Sequence, residues 1–255
     1  MYVNTLNPVL LKAGPITIYW YSIPYLIGFL VIYWLLAAER KKKSIQNLTE
    51  ETVEGLFFWL FLGVLVGGRI FYFLFNDPGT FIHDPLEILM IWHGGMAFFG
   101  AVFLMTLFGY YYCKNKKIPF FAVADIVVIG GALGLALGRI GNFINSEIVG
   151  IAWNGPWCVV YPAVDSLCRH PYQLYASLSH FLMLGILVLA WKKMKQRREG
   201  LLFWLFVFLY GLFRFITDFW RNETVFVFGI GGSQVASLVM VLIGLIALKK
   251  IYPSR

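Results

Sequence analysis

Long apolar stretches, separated by short polar segments, dominate the chain. A membrane-spanning helix needs roughly 20 mostly apolar residues to cross a hydrocarbon core about 30 Å thick. Seven stretches meet this requirement, near residues 17–38, 55–75, 88–112, 119–140, 172–191, 201–220 and 232–248. The pattern predicts an all-α polytopic membrane protein whose 255 residues form a single integral membrane domain with seven transmembrane helices.

The composition agrees with this prediction. Apolar residues make up 60% of the chain and aromatic residues 18%, and only 13% of the residues are charged. In an ordinary soluble domain about a quarter of the residues are charged. The first apolar run has no basic region before it and no small-residue cleavage site after it, so no cleavable signal peptide is predicted.

The basic residues indicate the topology. The net charge is +8, and fifteen of the 21 lysines and arginines follow odd-numbered spans, in the segments 40–43, 114–117, 192–198 and 249–255. Cytoplasmic loops of membrane proteins are enriched in lysine and arginine. The distribution therefore predicts an external N-terminus and a cytoplasmic C-terminus, and it does not favour nucleic acid as a partner.

Five arginines lie elsewhere, within the apolar spans or in the loops at their outer ends: Arg69, Arg139, Arg169, Arg214 and Arg221. The planar fork of donors in arginine suits phosphate and carboxylate groups, so one interpretation is an anionic ligand on the outer side. The other interpretation is that single arginines extend to lipid headgroups. The residue type alone leaves both open.

The three cysteines give limited information. Cys113 ends the third predicted span, whereas Cys158 and Cys168 share the outer segment 143–171, where an oxidising compartment would permit a disulfide. The sequence has no CxxC motif and no cluster of cysteine and histidine, so no metal site is predicted.

The stretch "GRIGNFINSEIVG", residues 138–150, combines small and polar residues at the end of an apolar run. Small residues spaced by three or four precede it and permit close helix packing in lipid. Arg139, Asn142 and Asn145 follow at intervals of three, on one face if the helix continues. Glu147 offers a countercharge or a hydrogen-bond acceptor. The stretch indicates either a polar site or a helix end anchored among headgroups.

Other spans carry isolated polar groups. In the sixth span, Tyr210, Arg214 and Asp218 recur every four residues on one face, where arginine and aspartate can also simply pair. In the "WHGGMAFFG" stretch, Gly94 and Gly95 can break or bend the third helix.

Several ordered motifs resemble one family. They are "WYSIPYLIGF", "GGRIFYFLF", "WHGGMAF", "GRIGNFINSEIVG", "RHPYQLY", "YGLFRF" and "DFWR". Together they resemble the bacterial prolipoprotein diacylglyceryl transferases. The resemblance implies a multi-pass enzyme of the bacterial cytoplasmic membrane, in contact with membrane lipids. Its substrates would be phosphatidylglycerol and lipoprotein precursors with a lipobox cysteine, glycerol phosphate would leave, and no cofactor is implied.

The resemblance also implies roles for individual residues. Four would be catalytic: Arg139, Arg214, Tyr210 and Tyr21, with the two arginines on the phosphate and the two tyrosines at the reacting centre. The motifs and the resemblance together predict ten substrate-binding residues: Asn142, Asn145, Glu147, Gly150, Arg69, Gly94, Gly95, Arg169, His170 and Gln173. Among these, Gly150 would permit a tight backbone turn.

The chain departs from the family pattern at three positions. Phe99 stands where the family usually has a histidine regarded as a base, Ala176 where it has a glutamate, and Ile151 where it has an arginine. Either the arginines suffice for catalysis, or the chain is a divergent, catalytically weak or silent paralogue that binds phospholipid or lipoprotein.

A receptor, retinal protein or transporter is the third alternative. A retinal protein needs a lysine well inside the last span, whereas Lys249 and Lys250 lie at its end. A transporter would show inverted repeats with broken helices, which the sequence does not indicate.

Overall fold

Long helices form most of the protein. The structure, a computed structural model, describes residues 1–14, 16–90, 94–194, 198–223, 225–227 and 230–251. Its helices are α1 (Ser22–Lys41), α2 (Glu50–Phe75), α3 (Pro78–His83), α4 (Phe98–Asn115), α5 (Phe120–Ile144), α6 (Tyr172–Lys193), α7 (Leu201–Thr217) and α8 (Gly232–Ile251). Short 3-10 helices cover Pro85–Leu89 and Asp218–Trp220.

Within the described ranges, seven short strands accompany the helices. They are β1 (Tyr2–Val3), β2 (Val9–Ala13), β3 (Ile16–Tyr19), β4 (Val159–Val160), β5 (Cys168–Arg169), β6 (Val225–Val227) and β7 (Ile230–Gly231). β2 and β3 pair antiparallel, as do β6 and β7. The third sheet has the order β1-β4-β5 and joins the start of the chain to the segment before α6.

Among the described residues, six helices are long and apolar enough to cross a membrane: α1, α2, α5, α6, α8, and α7 with the 3-10 turn that follows it. The predicted all-helical membrane fold is confirmed to this extent. The first predicted span starts too early, at residue 17, because residues 16–19 form a strand and α1 begins only at Ser22.

The third predicted span, 88–112, is also wrong at its start. Gly94 and Gly95 have φ angles of 82° and 79°, in the left-handed region that a helix does not use. The expected break at this glycine pair is confirmed, and α4 begins only at Phe98. It is 18 residues long and is not among the six candidate spans.

The chain divides into two compact units, one formed by residues 1–32 and 124–255 and the other by residues 33–123. The boundaries fall within α1 and α5, so each of these helices contributes to both units. The single membrane domain stays a prediction.

In the unit 33–123, glycines let α2 and α4 approach closely. A Cβ atom on Gly63 would lie 2.6 Å from the Cα atom of Met105, and one on Gly67 would overlap the carbonyl of Gly100. Any larger side chain at these two positions would force the helices apart.

In the larger unit, the small residues of α5 have the same function. A Cβ atom on Gly28 would lie 3.0 Å from the carbonyl oxygen of Gly130 and 3.2 Å from the Cα atom of Gly134. The close helix packing expected from the glycine spacing is therefore confirmed for the first turns of α1 against the middle of α5.

Hydrogen bonds fix α6 and α7 relative to α5. The Asp125 carboxylate accepts from the backbone N–H groups of Gly200 at 2.9 Å and Phe203 at 2.8 Å, and so satisfies two free donors at the start of α7. Ser177 of α6 donates to the carbonyl oxygen of Ala136 at 2.8 Å. These bonds hold the three helices that carry the polar residues of the unit.

The segment between α5 and α6 folds around β4 and β5. Cys158 and Cys168 form a disulfide across these strands, with Cα atoms 5.5 Å apart, so the bond that the sequence permits is present. Val149, Val159 and Tyr161 form a small buried cluster beside it. The segment is thus an ordered cap with its own core.

Gly150 lies where three stretches of backbone meet. It forms a β-bridge with Arg221, and a Cβ atom there would overlap the carbonyl of His170 and lie 2.8 Å from that of Trp220. Gly150 does not have a positive φ angle, and the tight turn expected there stays a prediction. The position needs glycine because the neighbouring backbone leaves no space for a side chain.

We expect Gly150→Ala to destabilise the protein by roughly 1–3 kcal/mol, because a methyl group there overpacks rigid backbone. The midpoint of thermal unfolding in detergent would measure the effect. Gly185→Ala in α6 is the matched control, since its Cβ atom would meet nothing within 4 Å. Equal midpoints for the two variants would contradict the packing argument.

Candidate functional site

Arg139 begins a chain of polar contacts at the end of α5. Its side chain is buried, and Nη1 donates to Oδ1 of Asn142 at 3.4 Å. The amide of Asn142 donates to Oε2 of Glu147 at 3.1 Å, and the amide of Asn145 donates to Oε1 at 3.2 Å. Arg139, Asn142 and Asn145, which the sequence places on one face and which we call the polar strip, therefore form one connected network, in which Glu147 is the hydrogen-bond acceptor. Oδ1 of Asn145 is buried and has no hydrogen-bond partner within the described part of the chain.

A second polar group lies on α7. Nη1 of Arg214 donates to the hydroxyl of Tyr210 at 3.3 Å, and Nε lies 3.4 Å from Oδ2 of Asp218. The stacking expected from the four-residue spacing is confirmed. Asp218 also accepts hydrogen bonds from the hydroxyls of Tyr172 at 2.5 Å and Ser233 at 2.6 Å, so this buried carboxylate joins α6, α7 and α8.

Tyrosines connect the two arginines. Tyr172 is close enough to both Arg139 and Arg214 to interact with them electrostatically. Tyr25 likewise interacts with Arg139 and Tyr210, and its hydroxyl lies 2.5 Å from that of Tyr21. The structure therefore brings the four predicted catalytic residues into one cluster, in which Arg139 and Tyr210 are buried and Tyr21 and Arg214 are half-buried.

The two arginines of the cluster differ in their carboxylate partners. Arg214 has Asp218 as its carboxylate partner. For Arg139, which is only 9% exposed, no carboxylate lies within 4.0 Å of the guanidinium among the residues that the structure describes. A buried cation without a paired anion is costly. This arrangement is suited to binding an anionic group beside Arg139.

Arg169 and Gln173 contact the loop that follows α5. Arg169 pairs with Asp165 and donates to the carbonyl of Gly150 at 3.0 Å. These hydrogen bonds from Arg169 hold the pKa of the Asp165 carboxyl below its ordinary value. Gln173 accepts from the hydroxyl of Tyr161 at 2.9 Å and donates to the carbonyl of Glu147 at 2.8 Å. Both side chains fix the backbone of residues 147–150.

His170 belongs to an aromatic group beside this loop. Its ring stacks on that of Trp153 with centroids 4.2 Å apart, and Nδ1 lies 3.2 Å from the hydroxyl of Tyr175. Partial burial lowers the pKa of the His170 imidazole. Trp157 also donates to the Tyr175 hydroxyl, at 2.7 Å.

Arg69 lies in the other unit and has different contacts. Its guanidinium donates to the backbone carbonyls of five residues: Glu87, Ile88, Met90, Gly94 and Gly95. A guanidinium has five N–H groups, so all its donors have backbone partners. Arg69 therefore holds the irregular segment between α3 and α4, next to a cavity of about 320 Å³ that Gly94 and Gly95 also line. Trp92 and His93 of the same motif lie outside the described residues.

The positions that depart from the resembled pattern have different surroundings. Phe99 is 77% exposed at the start of α4. Ile151 is also exposed, whereas Ala176 is fully buried within α6.

Some members of the cluster were missed by the sequence analysis. Tyr172 and His180 are buried, and Tyr25 is half-buried, beside the predicted residues. Their spacing in the sequence could have indicated them, because Tyr25 follows Tyr21 by one helical turn and His180 follows Gln173 by two. A histidine inside an apolar span is itself a sign of function. Among the described residues, no group of three or more acidic, histidine or cysteine side chains is arranged to hold a metal ion.

Comparisons with known proteins identify the family. The family model described as prolipoprotein diacylglyceryl transferase matches residues 8–249. A phosphatidylglycerol–prolipoprotein diacylglyceryl transferase of Desulfotalea psychrophila is 39% identical over 249 residues, which cover 94% of this chain and 91% of the relative.

Two further relatives carry the same name. The protein of Geobacter sulfurreducens is 34% identical over 94% of this chain and 93% of its own length. The protein of Vibrio atlanticus is 39% identical over 94% of this chain and 89% of its own length. The chain belongs to the prolipoprotein diacylglyceryl transferase family.

Proposed function

We propose that this chain transfers the diacylglyceryl group of phosphatidylglycerol to the lipobox cysteine of lipoprotein precursors, in the bacterial cytoplasmic membrane. Glycerol phosphate is the other product. The names of the relatives support the substrates. The observation that carries the proposal is the buried guanidinium of Arg139, which has no paired carboxylate among the described residues and lies in one cluster with Arg214.

The arginines match the charge that develops in this reaction. The cysteine sulfur attacks the glyceryl carbon that is bonded to phosphate oxygen, and the carbon–oxygen bond breaks. The departing phosphate monoester carries more negative charge than the diester did. Arg139 and Arg214 stabilise this charge in a buried site, where fixed donors are most effective. The hydroxyl of Tyr210, which accepts from Arg214, lies at the reacting centre with Tyr21.

The polar strip binds the headgroup. The buried Oδ1 of Asn145 has no partner among the residues described and can accept a hydrogen bond from a hydroxyl of the glycerol headgroup. Asn142 and Glu147 hold Asn145 and Arg139 in one network. Gly150, Arg169, His170 and Gln173 act on substrate binding by fixing the loop, and Arg69 with Gly94 and Gly95 does the same for the segment before α4.

A direct assay tests the proposal. Purified protein would be incubated with phosphatidylglycerol and a peptide that contains a lipobox cysteine, and the product analysed by mass. We expect a thioether-linked diacylglyceryl peptide and free glycerol phosphate. A folded protein that binds both substrates but forms no thioether would contradict the proposal and favour the silent paralogue.

The proposed topology has seven spans, with α4 as the third, an external N-terminus and a cytoplasmic C-terminus. It rests on the segments rich in lysine and arginine that follow the odd-numbered spans. We expect a reporter fused after residue 198 to be cytoplasmic and one fused after residue 160 to be external. The opposite result would place the disulfide-bonded segment on the cytoplasmic side and contradict the site assignment.

We expect Arg139→Gln to lower the rate on the order of a hundredfold, because losing one charge-assisted contact to the developing phosphate costs about 3 kcal/mol. Arg139→Lys should restore little, since lysine lacks the bidentate fork. Rates with phosphatidylglycerol and lipobox peptide would be measured for all variants. Lys12→Gln, which removes an exposed charge from β2, is the control. A folded Arg139→Gln protein with the parental rate would show that the polar strip is only an interfacial anchor.

Phe99→His tests whether the chain lacks a base. We expect no increase in rate, because the proposed chemistry depends on charged groups of the buried cluster and Phe99 is an exposed residue of α4. The initial rates of the variant and the parental protein, compared at several pH values, would measure the effect. A large increase would show that removal of the thiol proton limits the parental enzyme.

A further inference from the structure

His180 is a buried group of the cluster that the mechanism above does not use. It lies on α6 and is only 3% exposed. Its Nδ1 atom contacts the carbonyl oxygen of Ala176, one turn earlier. Its Nε2 atom is buried and has no hydrogen-bond partner among the residues that the structure describes. Buried polar atoms are rarely left in this state.

The hydrogen bonds of Nδ1 assign the tautomer. A carbonyl oxygen only accepts, so Nδ1 must carry the hydrogen. Ser179 agrees with this assignment, because its hydroxyl donates to the Ala176 carbonyl at 2.8 Å and its oxygen, 3.3 Å from Nδ1, is left as an acceptor. In the neutral imidazole Nε2 therefore presents an unused lone pair.

The surroundings of His180 place this lone pair in the proposed reaction site. The imidazole packs edge-on against the ring of Tyr210, with centroids 5.5 Å apart. Arg139, Arg214 and Asp218 are all close enough to interact with it electrostatically. His180 thus lies among the groups assigned to the phosphate and the reacting centre.

We propose that Nε2 of His180 accepts the proton of the lipobox thiol. This inference rests on the transfer reaction proposed above and adds the proton acceptor that the reaction needs. The Ala176 carbonyl and Ser179 hold the ring in the correct tautomer. In this proposal His180 on α6 takes the chemical role of the histidine that the family usually has at the position of Phe99.

The step balances. The thiol proton moves to Nε2, and the resulting thiolate forms a carbon–sulfur bond at the glyceryl carbon. The carbon–oxygen bond breaks, and its electron pair leaves with the phosphate. The proton on Nε2 then passes to the departing phosphate, whose second ionisation has a pKa of about 6 in phosphate monoesters, and His180 returns to its neutral state.

The charged and titratable groups around His180 set its pH behaviour. They are Arg139 from α5, and Tyr210, Arg214 and Asp218 from α7 and the turn that follows it. The phosphate and the Asp218 carboxylate offset the two guanidinium charges while the imidazole holds a proton. A rate that requires neutral His180 falls at acidic pH as one proton binds.

The test compares two peptides, one with a lipobox cysteine and one with selenocysteine at the same position. A selenol is already ionised at neutral pH and needs no base. His180→Asn retains a donor near the position of Nδ1 but cannot take up a proton. We expect this variant to lose at least about a hundredfold in kcat with the cysteine peptide, and less than about tenfold with the selenocysteine peptide.

Control variants distinguish a role of His180 as proton acceptor from a purely structural role. Met183→Leu changes a fully buried residue of α6 without altering volume greatly and should leave both rates near parental values. His180→Gln is the second variant, with an amide near the position of Nε2, and should behave like His180→Asn. For the parental protein, the acidic limb of the pH–rate profile should be present with cysteine and absent with selenocysteine.

Each contrary result overturns the inference. Equal losses with both peptides would make His180 structural, and a higher KM with unchanged kcat would make it a binding residue. A parental rate in His180→Asn, or the same acidic limb with both peptides, would exclude it as the proton acceptor. A parental protein that makes no thioether with either peptide would instead refute the proposed function itself.

Discussion

The helix arrangement of the larger unit depends on how charged side chains find partners within apolar surroundings. Arg139 and the Asp218 carboxylate are buried, Arg214 is half-buried beside them, and buried charges are stable only with partners. Asp218 accepts hydrogen bonds from Tyr172 and Ser233 and pairs with Arg214. These contacts tie α6, α7 and α8 to one carboxylate and, among the residues that the structure describes, leave Arg139 without a carboxylate partner. The helix arrangement and the proposed preference for an anionic ligand therefore have the same electrostatic origin.

The loop after α5 is held by backbone contacts rather than by a large core. Arg169 and Gln173 bind the carbonyls of Gly150 and Glu147, and the disulfide closes the strands behind them. Ser146 and Ile148 have φ angles of 58° and 52°, an unfavourable conformation for residues with side chains that persists only where surrounding contacts impose it. The strain is consistent with a loop that must present Asn145 and Glu147 at fixed positions.

The sequence predicts the helices of this protein well, because a run of about 20 apolar residues in lipid can form little else. The four-residue spacing of Tyr210, Arg214 and Asp218 likewise predicts their contacts, since one turn of helix places them together. The starts of α1 and α4 were not predictable from hydropathy. Residues 16–19 are apolar but pair as a strand, and the two glycines at 94 and 95 stop a helix that hydrophobicity alone would continue.

The sequence does not predict which groups a buried side chain contacts outside its own helix. Arg69 and Arg139 are the same residue type, both buried in or near the end of an apolar helix, and both lie in motifs that carry the family resemblance. The carbonyls of an irregular segment use all five donors of Arg69, whereas the structure gives Arg139 one hydrogen bond, to a neutral amide. A carbonyl carries only a partial charge, but five of them around one guanidinium satisfy it without a ligand. The function of a buried arginine therefore depends on how many of its donors the fold leaves for a substrate, and this number depends on loop geometry that no helical periodicity encodes.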